Sequence, residues 1–150
     1  MPHSIFQVAK TIGQLTNWSK WNLEIQKIAY LSEIIFLGRE NSPLISEEFE
    51  AWAIGPICPT LYHEIKVFGS RRVKDVFSNI NAFEEFTVEF QSIRDVVGAI
   101  RDKTPGEIVR IAYYSRGAWA KKYKPGVNDR KISKQDMLEE YEQRKIMLEF

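Results

Sequence analysis

From Trp21 to Leu37 the sequence leaves a helix almost no polar side. Trp21, Ile25, Ile28, Ala29, Ser32 and Ile35 recur along one face, and Leu23, Leu31, Ile34 and Phe36 widen that stripe until it nearly encircles the helix. A helix apolar on most sides must be packed on most sides, so the rest of the chain is expected to wrap around this segment. In 150 residues there is room for one such core and little for a second. Residues 1–150 are therefore read as a single domain, mainly α: a compact helical bundle with a small β element near residues 48–54.

Other segments supply the packing partners. Ile5, Val8, Ala9, Ile12 and Leu15 line one side of a first helix, which Gly13 weakens slightly. Thr16-Asn-Trp-Ser19 then offers side chains able to cap the central helix. Gly38 is expected to end it, with Asn41-Ser-Pro43 continuing the break. Phe49 to Ile54 is ambiguous between a strand and irregular structure; its shortness, its two aromatics and the Gly55-Pro56 that follows favour a strand. Pro59 suits the first turn of the next helix, with Leu61, Tyr62, Ile65 and Phe68 on its apolar side and Gly69 closing it.

Residues 71–86 have no clean period and fit a strand, a short helix or a loop. Phe90, Ile93, Val96, Val97 and Ile100 return to helical spacing. Thr104-Pro-Gly-Glu107 sets a capping threonine, a proline at the first helical position and a glutamate at the third, so a helix carrying Ile108, Ile111 and Ala112 begins there. It should fade near residues 115–117. After an aromatic segment at 118–124 and a turn at Pro125-Gly126, Ser133-Lys-Gln-Asp136 caps a last amphipathic helix carrying Met137, Leu138, Tyr141, Lys145 and Leu148.

Charge and composition narrow the function classes. With 21 Lys and Arg against 20 Asp and Glu, no global field draws the chain to nucleic acid or to an acidic membrane. The one cysteine cannot form an internal bridge, and with two histidines it falls short of a four-ligand zinc site. A reducing, cytoplasmic setting fits best. The first ten residues lack the basic and apolar regions of a secretory leader, and the longest strongly apolar run, Ile34-Ile-Phe-Leu37, is far shorter than the roughly 18 residues of a membrane span.

Phe49 to Gly69 gathers Trp52, Cys58, Tyr62 and His63 around two prolines, a composition that invites comparison with an active site. His63-Glu64 lacks the second histidine of the helical zinc motif, because position 67 is valine. Cys58 sits at a helix start, where the dipole can lower a thiol pKa, but a nucleophile needs a base, and the histidines on offer are His3 and His63. A small buried cysteine packing near the turn is preferred. Gly55-Pro-Ile-Cys-Pro59 is too poor in glycine to cradle phosphate and reads as a rigid corner between strand and helix. Trp52 and Tyr62 flank it as buried rings with their polar atoms satisfied at the edge. The basic clusters Arg71-Arg72-Val-Lys74, Lys121-Lys122-Tyr-Lys124 and Arg130-Lys131 read as solvated surface in preference to a phosphate-binding face.

Several of these segments together resemble the Panacea domain family, also called SocA-like or phage-associated GepA-like proteins, whose members are found as antitoxins beside varied toxins in bacteria and phages. Ile25-Gln-Lys-Ile-Ala-Tyr30 is similar to the family's lysine- and tyrosine-bearing helix. Phe49-Glu-Ala-Trp52, Gly55-Pro-Ile57, Pro59, Leu61-Tyr62 and Gly69 match its second element nearly position for position, and Trp119 with Tyr123-Lys-Pro-Gly126 and Ile132-Ser133 resembles its closing block. The match is weakest over residues 71–103. One departure stands out: members often carry a Thr-His-x-Glu-like segment before the last tryptophan, where this chain has Tyr113-Tyr-Ser-Arg116.

The resemblance implies a mostly helical antitoxin that neutralises a cognate toxin protein by direct binding, with no cofactor, no metal and no catalytic residue. A protease or DNA would be a further partner. Lys27, Tyr30, Glu50, Trp52, Gly55, Pro56, Pro59, Tyr62 and Trp119 form the expected framework or pocket. The alternatives are a nucleic-acid-binding regulator of its own operon and a cysteine-dependent hydrolase centred on Cys58.

Overall fold

The computed structural model describes residues 1–144; Lys145 and Leu148, assigned above to the last helix, lie outside the described residues. Helices α1 (Ile5–Leu15) and α2 (Asn22–Glu40) precede strands β1 (Phe49–Trp52) and β2 (Gly55–Ile57). Helix α3 (Pro59–Ile65) continues into a 3-10 turn, Lys66–Phe68. Then come α4 (Val88–Ala99), α5 (Pro105–Ala112), the short α6 (Ala118–Lys122), β3 (Lys131–Ile132) and α7 (Lys134–Arg144). The chain is mainly α, and α2 is its axis, with α1, α3, α4, α5, α7 and β2 all packed against it.

Helix α2 is buried from Glu24 to Leu37, as its apolar girdle requires. Its ends differ from expectation. Gly38 does not stop it; the helix runs on to Glu40 and closes at Asn41, which takes the left-handed conformation (φ 52°) and donates its N–H to the Leu37 carbonyl at 2.8 Å. Gly38 leaves room for Tyr141 of α7, since a Cβ there would lie 2.3 Å from that ring. At the other end Trp21 takes the N-cap position and makes no side-chain cap bond, while Thr16 turns back to the Ile12 carbonyl. Asn17 and Trp18, both at positive φ, fold the connection so that the Trp18 ring covers Gly13.

The β element is larger than the strand expected at 48–54, because the supposed corner is itself a strand. Glu50 faces Ile57, Ala51 faces Pro56 and Trp52 faces Gly55, leaving Ala53 and Ile54 as the turn. Pro56 is tolerated because the Ala51–Pro56 pair is one that exchanges no ladder bonds; the Ala51 N–H points the other way, to the Arg130 carbonyl beside β3. Strand β3 completes the order β2-β1-β3 and gave no sequence signal of its own. Pro59 opens α3 and Gly69, at φ 58°, closes the turn that follows it.

Residues 69–87 form a loop pinned by buried Val73, Phe77 and Phe83. Thr87 caps α4, and the Thr104–Glu107 and Ser133–Asp136 caps form where expected.

Candidate functional site

Four polar side chains on α2, Gln26, Lys27, Tyr30 and Glu33, are fully buried. Their spacing puts them on one side of the helix, and burial obliges each to find a partner. Gln26 takes both backbone groups of Cys58: the Cys58 N–H donates to Oε1 at 2.8 Å and Nε2 donates to the Cys58 carbonyl at 3.3 Å. Glu33 accepts from the Leu44 N–H at 2.7 Å, the Ile45 N–H at 3.3 Å and Lys134 Nζ at 2.5 Å.

Lys27 donates to the Pro56 carbonyl at 3.0 Å and has no carboxylate partner among the described residues. Burial lowers its pKa from 10.5 to about 7, because the charged amine loses its hydration without a compensating anion. Gly55 makes the approach possible. Its φ is 104°, and a Cβ there would lie 2.9 Å from Lys27 Cε.

Tyr30 reaches instead to the closing block. Its hydroxyl donates to Glu140 Oε1 at 3.2 Å, the oxygen that also accepts the Ala118 N–H at 2.9 Å. Arg144 Nη1 bonds the other oxygen at 2.6 Å, with its guanidinium carbon 4.7 Å from the centre of the Tyr114 ring. Burial, then the Glu140 charge, hold the Tyr30 pKa well above its usual value. The network ties α2, the start of α6 and α7 together.

The turn of the β1–β2 hairpin is held by three donors. Trp119 Nε1 bonds the Trp52 carbonyl at 2.8 Å, the Tyr113 hydroxyl bonds the Ala53 carbonyl at 2.7 Å, and Lys27 holds Pro56 from beneath. Above the turn lies a run of rings: Tyr62 edge-on to Trp52 at 5.0 Å, Tyr113 edge-on to Trp119 at 4.7 Å, and Tyr123 stacked on Trp119 at 4.8 Å. Trp52 Nε1 donates to Glu50 Oε1 at 2.9 Å.

The structure thus joins Lys27, Gly55, Pro56, Glu50, Trp52, Tyr62 and Trp119 around one hairpin, with Pro59 at the following helix start and Tyr30 facing Phe49 and Glu140. Gln26, Tyr113 and Glu140 belong to the same assembly and were not singled out from sequence. Gln26 had a signal, being polar in a helix that must be buried all round. Tyr113 donates its hydroxyl to a backbone carbonyl there.

The chemistry weighed at Cys58 finds no support in its surroundings. The thiol is buried, and burial pushes its pKa up to about 11, opposite to the lowering a helix start favours. His63 is exposed on the outer side of α3. Among the described residues no three His, Cys, Asp or Glu side chains converge as a metal site. Of the basic clusters, Lys121 and Lys122 meet Asp136 and Glu139, Lys131 meets Glu48, and Arg71 folds back on the Val67 and Phe68 carbonyls.

Comparison with known proteins identifies the family. The family model described as antitoxin SocA-like, Panacea domain, matches residues 25–147, a span holding the whole polar stripe, the hairpin and the described part of α7. The chain is similar to "Antitoxin SocA" of Caulobacter vibrioides (strain NA1000 / CB15N), 25% identical over an alignment of 107 residues that covers 65% of this chain and 57% of that protein. The match therefore spans a little over half the length of that relative. No solved structure matches.

Proposed function

Because the chain belongs to the antitoxin SocA-like Panacea domain family, we propose that it is the antitoxin of a bacterial or phage toxin–antitoxin pair and neutralises a cognate toxin protein by direct binding. The family match over residues 25–147 carries this reading. A non-enzymatic role is supported by the site itself. Acyl or hydrolytic chemistry needs a nucleophile, a base and an orienting group brought together, whereas Cys58 is buried with its thiol protonated and Gln26 and Lys27 beside it hold backbone. A binding module needs only a stable shape with anchors at one patch. The carboxylates that meet Lys121, Lys122 and Lys131 favour a protein partner over operon DNA. No helix among the described residues is long and apolar enough to cross a membrane. We propose the cytoplasm as the location, where a lone thiol stays reduced.

The test is co-expression with the reading frame adjacent to this gene. Growth arrest by the neighbour alone, rescue by this chain and a complex that co-purifies would support the reading. Loss of the neighbour's protein only in cells with an active protease would assign delivery to that protease in place of simple blocking. A harmless neighbour with no complex would overturn the proposal.

A further inference from the structure

We propose that the face built by residues 66–89 over α1 is self-complementary, and that two copies of this chain pair through it, antiparallel, about a twofold axis. The pairing goes beyond the antitoxin reading and does not depend on it.

The face gathers apolar groups in solvent. Six large hydrophobic side chains are exposed among the described residues, and four of them are here: Val67 at 71%, Val76 at 42%, Phe86 at 80% and Val88 at 37%. Scattered exposed hydrophobics need no explanation, whereas a strip of them marks an interaction surface. The strip is also fixed in place as it crosses α1. At one end the Val73 N–H bonds the Lys20 carbonyl at 2.9 Å; further along, Lys10 Nζ bonds Asp75 at 2.6 Å and the Phe83 N–H bonds Thr11 Oγ1 at 3.1 Å. At the other end Glu89 meets His3 Nε2 at 2.9 Å. Val73, Phe77 and Phe83 are buried beneath. The Thr87 N–H and hydroxyl both donate to the Glu84 carbonyl, at 3.0 and 2.8 Å, which sets Phe86 at the tip of a turn. A surface already ordered loses little entropy on association.

Charge is sorted along the strip. The end beside Lys20 carries Lys66, Arg71, Arg72 and Lys74, all exposed and none with an ion-pair partner among the described residues. The carboxylates nearby are spent: Asp75 on Lys10, and Glu24 on Lys20 and the Trp21 N–H. The end beside His3 carries Glu47, Glu84, Glu85 and Glu89, and between Asp75 and Arg94 the sequence has no lysine or arginine. The cations there are His3, held by Glu89, and the amino group of Met1. Glu64 lies between the two ends, in a cleft of about 190 Å³ that it lines with Phe6, Val76 and Phe77. The 11 residues of α1 separate the ends by about 16 Å.

That order selects the occupant. Nucleic acid would be repelled by the acidic end, and a protein segment of either single sign meets like charge somewhere on the strip. A fitting partner carries both signs in reverse order with apolar groups among them. A second copy turned end for end carries them. An axis near Val76 sets Lys66, Arg72 and Lys74 against Glu84 and Glu85 of the partner subunit; each contact is made twice, and the pairing closes at two chains.

The test is sedimentation velocity of the whole chain at low and high salt, over a concentration series up to about 1 mM. We expect a monomer–dimer equilibrium that salt weakens. Arg72→Glu/Lys74→Glu and Glu84→Lys/Glu85→Lys should each weaken dimerisation about 10-fold or more, because each sets like charges together twice per dimer. All four substitutions in one chain should restore it at the wild-type net charge. Phe86→Ser should weaken it about 10-fold, and Ile54→Asp, on the hairpin turn, should leave it unchanged. Every substituted side chain is exposed, so melting temperatures should stay at the wild-type value. Monomer throughout the series would overturn the proposal, as would a dimer that ignores both charge reversals. A quadruple variant that stays monomeric would overturn the antiparallel order, and chains that keep adding beyond two would overturn the twofold axis.

Discussion

Gln26 holds the backbone of Cys58 as a neighbouring strand would, accepting its N–H and donating to its carbonyl across 32 positions of sequence. Both groups are buried where β2 turns into α3. Gln26→Ala strands the Cys58 N–H, whereas the Cys58 carbonyl keeps the Tyr62 N–H at 2.9 Å, and one orphaned buried backbone group costs about 1–3 kcal/mol. Urea unfolding should show a loss of about 1–3 kcal/mol. A loss under about 0.5 kcal/mol, the range of ordinary surface substitutions, would mean that the clamp does not hold the turn.

Lys27 should make stability rise with pH. Its pKa falls from 10.5 to about 7 on folding, so between those values the unfolded chain binds the extra proton and raising the pH favours the native state. Below pH 7 both states are protonated and the penalty for burying the charge is fully present. Above about pH 9 the Cys58 thiol, raised from 9.0 to about 11, works in the opposite direction, because the folded chain keeps a proton that the unfolded chain loses. The clean window is therefore pH 7 to 9. Relative to Lys27→Met, the wild type should gain up to about 1.4 kcal/mol per pH unit there, measured by urea unfolding at each pH. Parallel pH profiles for the two chains would contradict it.

Gly55 and Gly106 should respond to alanine in opposite ways. At Gly55 the φ of 104° and the Lys27 side chain 2.9 Å from a new Cβ both oppose the substitution, and a loss of about 2 kcal/mol or more is expected. Gly106 lies in α5 with nothing within 4 Å of a new Cβ, so alanine should be neutral or stabilising by up to about 1 kcal/mol. Melting temperatures of the two variants decide the matter.

Breaking the Tyr30–Glu140–Arg144 network from its two ends should cost different amounts. Tyr30→Phe keeps the ring against Phe49 and leaves Glu140 bonded to Ala118 and Arg144, so about 1 kcal/mol is expected. Glu140→Ala leaves a buried guanidinium without its anion and should cost about 3–5 kcal/mol. Absorbance titration of the native protein should also show Tyr30 ionising well above the normal range, and Tyr30→Phe should remove that contribution and leave the raised ionisation of Tyr113 in place. Equal losses from the two substitutions would refute the network's hierarchy.

The axis of this fold was legible because hydrophobic periodicity is a local property: the residues from Trp21 to Leu37 state their own burial. The caps at Thr104 and Ser133 are local too, and they formed as read. What sequence hid was pairing at a distance. Gly38 looked like a stop, but its shape serves Tyr141 from α7, and Asn41 does the stopping. Gly55-Pro56 looked like a corner because proline disfavours strands, and only the register against Ala51 shows that no bond is lost there. Lys27 and Trp119 could be singled out, but that both hold the same hairpin depends on contacts spanning 29 and 67 positions.

Pro56 has one more consequence for how this molecule meets others. On the outer side of β2 it offers no amide hydrogen, and its carbonyl is already engaged by Lys27 under the cover of α2. An incoming extended peptide would find nothing to zip onto along that margin. Capture by strand addition is shut off there, for foreign chains and for second copies alike, and recognition is left to side chains.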